Sequence, residues 1–143
     1  MTKKHKSEFR VYYEDTDAGG IMYHGNYINF CERGRSDMLR ELGMPASEVY
    51  EKLGVGFVVR HLDAEYLQML KLDDLLTVET HVKQMKSTSF IMRQVITSKN
   101  QKNASISPVF SMNVTIVCLD RLGKPVRIPD DIRQIFDDYL ERE

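Results

Sequence analysis

Downstream of Gly54 the chain is dominated by period-two patterning. "GFVVRHLDAEYL", "LLTVETHVKQM", "STSFIMRQVITS" and "SPVFSMNVTIVCL" each alternate apolar and polar residues or are enriched in β-branched and aromatic ones, the pattern of half-buried antiparallel strands. Phe110, Met112, Val114, Ile116 and Cys118 make the clearest single face, because alternate strand residues project the same way. "KNQKN" and "DRLGKP" supply the turns. Upstream the period changes. Phe9 to Tyr13 predicts a short strand that ends at the turn-forming "EDTDAGG". Ile28, Cys31, Met38, Leu39 and Leu42 then recur at helical spacing through "NYINFCERGRSDMLREL", which predicts one long amphipathic helix stopped by Gly43 and Pro45.

"ASEVYEKL" predicts a short helix and "PDDIRQIFDDYLE" a final one, with Pro129 at its first position, acids in its first turn and Ile132, Ile135, Phe136, Tyr139 and Leu140 on one stripe. The order strand, long helix, short helix, four strands, final helix is α+β. About five such strands make an antiparallel sheet able to curl around the long helix. Gly34, inside that helix, costs about 1 kcal/mol relative to alanine unless something packs close to its backbone. A sheet lying on that side gives the reason.

A length of 143 residues fits a single domain over 1–143, with residues 1–7, including the basic "MTKKHK", as a mobile solvated tail. The formal net charge is −1, so the summed field attracts neither nucleic acid nor anionic lipid. No apolar run approaches the roughly 18 residues that span a bilayer, and none follows the basic start as a secretory signal requires. A cytoplasmic protein without membrane insertion is expected. Cys31 and Cys118, each among apolar neighbours, are expected as buried free thiols.

The chain has no G-x-S-x-G elbow, phosphate-binding G-x-x-x-x-G-K-[ST] loop, H-E-x-x-H or paired C-x-x-C, and "GVGFVV" lacks the third glycine of a dinucleotide fingerprint. His61, Asp63 and Glu65 share one strand face, but two carboxylates and one histidine specify no metal geometry, and alternating charge on a solvated strand is the better account. His5 and His81 are expected as exposed polar residues.

"YYEDTDAGGIMYHGNYINF" is different in kind. As a bare pattern, acids and a glycine pair before a helix make a capping turn. A helix beginning near His24 to Asn26 also exposes backbone N–H groups without intrahelical partners, and these hold developing negative charge. Gly19 and Gly20 let the chain fold back so that the Asp17 side chain can lie near those groups. A carboxylate across a small gap from a helix N-terminus suits hydrolysis of a thioester, whose carbonyl is poorly stabilised by resonance and whose thiolate leaves readily.

"RVYYEDTDAGGIMYHGNYINFCERGR", with its D-x-D-x-x-G-x-x-Y-H-x-N-Y spacing, resembles the opening of the YbgC-like acyl-CoA thioesterases of the 4-hydroxybenzoyl-CoA thioesterase, or hotdog, family. The similarity continues through "FVVRHLDAEYLQMLKLDDLLTV" and "KSTSF". The resemblance implies a long helix wrapped by an antiparallel sheet, homodimers that join their sheets and assemble into homotetramers, and active sites at the subunit interface. It implies an acyl-CoA substrate, acyl carrier protein thioesters as a second substrate class, no metal or redox cofactor, and a link to the Tol-Pal envelope system through a partner. By position, Asp17 matches the essential carboxylate, as general base or as nucleophile. The His24 amide matches the group that polarises the thioester carbonyl, and Tyr13 and the His24 ring match groups that orient water and substrate. Gly25, Val59, Arg60 and His61 fall near the acyl group, and Lys86 and Ser87 in a loop facing the coenzyme A phosphates. Met22, Gly25, Cys31 and Gly34 depart from the residues common in relatives. A binding module that holds acyl-CoA or acyl carrier protein without cleavage stands as the alternative, and an envelope-associated interaction protein as a third reading.

Overall fold

A computed structural model describes residues 2–99 and 102–142. The elements in chain order are β1 (His5–Arg10), a 3-10 turn (Tyr13–Asp15), α1 (His24–Glu41), α2 (Ala46–Leu53), β2 (Gly56–Tyr66), β3 (Leu75–Met85), β4 (Ser89–Lys99), β5 (Ile106–Leu119) and α3 (Asp130–Asp137). The strands form one antiparallel sheet in the order β1-β3-β4-β5-β2. The α+β class and the four alternating strands stand as expected. Among the described residues no helix is long and apolar enough to cross a membrane.

Period-two patterning sets the inner face of the sheet. Phe110, Met112, Val114, Ile116 and Cys118 are all buried, and Leu76, Val78 and Val82 of β3 and Phe90, Met92 and Ile96 of β4 join them. Helix α1 covers this face with Tyr27, Phe30, Cys31, Gly34, Met38 and Leu39. Its 18 residues span about 27 Å at roughly 1.5 Å per residue.

Gly34 is the point of closest approach. A Cβ built there would lie 2.6 Å from Val78 Cγ1 and 3.1 Å from Val78 Cβ. The bare backbone lets Gln94, fully buried in β4, reach the helix: its Nε2 donates to the Cys31 carbonyl at 2.8 Å and to Thr80 Oγ1 at 3.0 Å, and its Oε1 accepts from Arg35 at 2.8 Å. Gly34→Ala is expected to destabilise the protein by about 1–3 kcal/mol, overpacking outweighing alanine's better helix propensity. A Tm at or above wild type in a thermal melt would contradict this.

The N-terminal part departs from the pattern. β1 begins at His5, inside the stretch expected as a solvated tail, and pairs His5 with Thr80 and Ser7 with Val78. His5 and His81 are buried, not exposed, and pair with Glu41 and Glu141 respectively. Short-range patterning missed them because each partner carboxylate lies far along the chain. The His81 hydrogen bond holds the Glu141 carboxyl below its ordinary value. Tyr12 and Tyr13 lie beyond the strand, Tyr13 within the 3-10 turn. α3 ends at Asp137, and the chain then bridges β3 through Leu140 and Val82.

Candidate active site

The opening of α1 is built by the segment before it. Thr16 bridges Met22, the Asp17 amide donates to the Ile21 carbonyl at 2.9 Å, and the Tyr23 amide donates to the Asp15 carbonyl at 2.8 Å. Gly20 takes a φ of 81° at the tip, a conformation that glycine adopts without a Cβ penalty. His24 and Gly25 thereby open the helix directly after this folded turn, which carries Asp17 and follows Tyr13.

Two carboxylates stand in this segment in different settings. Asp15 is buried, its Oδ2 accepting from the Tyr12 amide at 2.8 Å and its Oδ1 from Asn26 Nδ2 at 3.0 Å. Asp17 is exposed, and its Oδ1 accepts from the Gly19 amide at 2.8 Å. In the single subunit the Asp17 carboxylate bonds to its own turn and not to an α1 amide. The structural partner of the helix start is Asp15, through Asn26.

The first two amides of α1 are unclaimed. Among the described residues neither His24 N–H nor Gly25 N–H donates to any group, whereas the Asn26 amide reaches the Tyr23 carbonyl at 2.9 Å. Such amides carry the positive end of the helix dipole. The His24 ring lies 4.3 Å, centroid to centroid, from the Tyr23 ring. A Cβ at Gly25 would fall 2.9 Å from the Tyr23 ring, so glycine leaves that ring its place beside the amides.

The end of β2 and the segment after it close over the same helix end. Tyr66 donates its hydroxyl to the His24 carbonyl at 2.8 Å, and the Leu70 amide donates to the Tyr27 hydroxyl at 3.0 Å. Tyr27, Tyr66 and Phe110 stack in tilted and edge contacts with centroids 4.9 to 5.3 Å apart. A cavity of about 290 Å³ opens beside His24, lined by Ile21, Met22, Tyr27, Tyr66 and Met69 among others. Its walls are mostly apolar, with His24 and Gln68 as the polar members, and Met22 among them is buried. Burial pushes the Tyr27 phenol up from its ordinary value, so it keeps its proton at neutral pH.

The remaining site candidates lie elsewhere in the chain. Val59, Arg60 and His61 are exposed on β2, where a bulge between Val59 and His61 leaves Arg60 as the extra residue. Lys86 and Ser87 are exposed in the β3–β4 turn. Register puts these two groups toward one end of the sheet, since Val58 pairs with Val117 and Val117 with Ser89. Tyr66, bonded to His24, is at the other end, seven residues from Val59 and therefore about 23 Å away at roughly 3.3 Å per residue. The single chain thus keeps Asp17 and His24 apart from Val59 to His61 and from Lys86 and Ser87.

His61, Asp63 and Glu65 do share an exposed face of β2. Among the described residues no three His, Cys, Asp or Glu side chains converge as a metal site. Cys31 and Cys118 are buried free thiols, and burial pushes the Cys31 thiol up to about 12. Iodoacetamide at pH 8 is accordingly expected to leave Cys31 unmodified in the folded protein and to alkylate it only after denaturation, as read by mass spectrometry. Rapid labelling of the native protein would contradict its burial.

A five-stranded antiparallel sheet with a long helix across its inner face is the hotdog fold of thioesterases. The profile of the thioesterase-like superfamily matches residues 11–136, and the chain belongs to that family. It is 40% identical over 124 residues to the acyl-CoA thioester hydrolase YbgC of Escherichia coli, covering 86% of this chain and 88% of that one. It is 38% identical over 127 residues to the acyl-CoA thioesterase YbgC of Haemophilus influenzae, covering 89% and 90%. The solved structure of 4-hydroxybenzoyl CoA thioesterase from Pseudomonas sp. strain CBS-3 superposes with a TM-score of 0.83 at 19% identity, over 94% of this chain and 99% of that one, a likeness of fold.

Asp15 and Tyr66 escaped the sequence reading. Asp15 stands two residues from Asp17 in the same acidic run, and only its burial separates their roles. Tyr66 is 42 positions from the carbonyl it binds, and no local pattern announces such a pairing.

Proposed function

We propose that the protein hydrolyses acyl-CoA thioesters to the free carboxylic acid and CoA. The observation that carries this is the pair of unclaimed amides at His24 and Gly25 beside the Asp17 turn. The thioester carbonyl is polarised by the His24 amide, whose hydrogen bond strengthens as the oxygen becomes an oxyanion. Asp17 either takes a proton from the attacking water, which passes to the CoA thiolate as the C–S bond breaks, or attacks the carbonyl itself and expels the CoA thiolate to give a mixed anhydride that water then cleaves to the free acid. Tyr13 and the His24 ring orient water and substrate, and the apolar cavity beside His24 receives the acyl group. The names of the YbgC relatives support the same substrate class.

The second part of the proposal is a site shared between subunits. β2 is an 11-residue strand at the edge of the sheet, and it exposes Val58, Val59 and Tyr66 by 44, 49 and 48%. A long apolar edge invites strand pairing. Antiparallel pairing of two copies about a two-fold axis sets the Tyr66 end of one β2 beside the Gly56 end of the other. The Asp17 and His24 groups of one subunit then approach Val59 to His61 and the Lys86–Ser87 turn of its partner, which closes the gap that one subunit leaves. The enzyme is cytoplasmic in this reading, and its two free cysteines fit a reducing compartment.

Thiol release from a panel of short, long and aromatic acyl-CoAs tests the assignment. Turnover of at least one substrate well above its spontaneous hydrolysis is expected. Tight binding with no thiol released would replace hydrolysis by a binding role.

A further inference from the structure

The turn from β3 to β4, Lys86 to Thr88, has all three of its carbonyls engaged by the protein behind it. Arg133 of α3 donates through Nη2 to the Lys86 carbonyl at 2.7 Å and the Ser87 carbonyl at 2.8 Å, and through Nε to the Ile128 carbonyl at 3.0 Å. The Ile128 amide also reaches the Ser87 carbonyl, at 2.9 Å, and the Cys118 amide reaches the Thr88 carbonyl at 2.8 Å. Among the described residues no peptide bond is cis. A planar trans peptide directs its N–H opposite to its C=O. With the Lys86 and Ser87 carbonyls held by Arg133, the amides of Ser87 and Thr88 therefore face away from it, and neither donates to any group among the described residues. Successive outward amides make an anion-binding concavity, here flanked by the exposed Lys86 and Ser87 side chains.

We propose that Arg133 is a positioning residue for the phosphate-bearing end of the substrate. It does not touch the reacting atoms. Its Nη2 holds two successive carbonyls at once while Nε anchors the planar group to the Ile128 carbonyl, which fixes the direction of both following amides, and its charge polarises those peptides so that the amides are stronger donors. The Ser87 and Thr88 amides and the Lys86 ammonium then converge on one phosphate group of the CoA moiety. Lysine at 133 keeps the charge but loses the planar fork. This inference rests on the acyl-CoA reading above.

The test compares hydrolysis of an acyl-CoA with that of the same acyl group on pantetheine, which carries no phosphate. Arg133→Gln is expected to raise KM for the acyl-CoA about tenfold, and Arg133→Lys about threefold, with kcat within about twofold of wild type. Both constants for the pantetheine thioester should stay at wild-type values. Equal effects on the two substrates, or no effect on either, would overturn the proposal, because a merely structural pin does not distinguish them. Calorimetric titration with adenosine 3′,5′-bisphosphate gives a readout free of catalysis, and binding to Arg133→Lys about threefold weaker than to wild type is expected. Equal affinities would overturn the role of Arg133. A wild-type protein that hydrolyses neither thioester would reject the acyl-CoA hydrolase reading instead, and the titration would still decide Arg133.

Discussion

Asp17→Asn is expected to leave the fold and the oligomer unchanged while acyl-CoA turnover falls by about 10²- to 10⁴-fold, the range for loss of a positioned acid or base. The asparagine Oδ1 replaces the acceptor that Asp17 offers to the Gly19 amide, so the turn keeps its hydrogen bond. The side chain is exposed, and no packing is lost. What disappears is the negative charge and the capacity to take a proton or to form an anhydride. Asp15→Asn is the matching control. Both Asp15 oxygens accept hydrogen bonds in a buried site, and an NH₂ in place of either one faces a donor, at a cost of about 1–3 kcal/mol. Thermal melts and thiol-release rates should therefore separate the two positions, Asp15 moving stability and Asp17 moving turnover. An Asp17→Asn protein with near-normal kcat would remove Asp17 from the chemistry.

Val58→Glu is expected to produce a folded monomer with hydrolysis reduced by about 100-fold or more, the scale on which misplacing a substrate costs rate. Val58 is 44% exposed on the free edge of β2. A carboxylate there is solvated in the monomer and harms no internal packing. In a two-fold pairing of β2 it approaches the partner strand's acidic end, where Glu65 and Asp63 lie in the sequence, and like charges facing across strands repel. In the proposed shared site, losing the partner removes Val59 to His61 and the Lys86–Ser87 turn from the Asp17 and His24 of the other subunit. Sedimentation velocity, far-ultraviolet circular dichroism and thiol release on the same sample check the three parts. A monomer that retains full activity would show that one subunit completes its own site.

Much of the fold was legible because its signals are local. The alternation in β2 to β5 and the 3.6-residue spacing of α1 each arise from one element burying one face, and a short window contains all of it. Gly34 was legible as an anomaly, since a glycine inside a helix implies a close neighbour, and Val78 is that neighbour. The tail assignment missed β1 at His5 to Ser7 because those polar residues are buried by strand pairing and by the distant Glu41. Gln94 shows the same limit from the other side. It reads as a polar interruption of an apolar strand face, and only its three partners from α1 and β3 make it a satisfied core residue.

What the chain determines by itself is the set of elements and the chemical content of the helix start: acids, a glycine turn and a helix whose first amides must lack internal acceptors. Those follow from backbone geometry within a dozen residues. Tertiary structure alone decided which acid is buried and which stays free, that Tyr66 closes over His24, and that Arg133 grips the β3–β4 turn. It also put the two halves of the candidate site at opposite ends of the sheet. Such outcomes depend on contacts between residues tens of positions apart, whose formation is governed by packing and solvation of the whole fold and leaves no trace in local pattern.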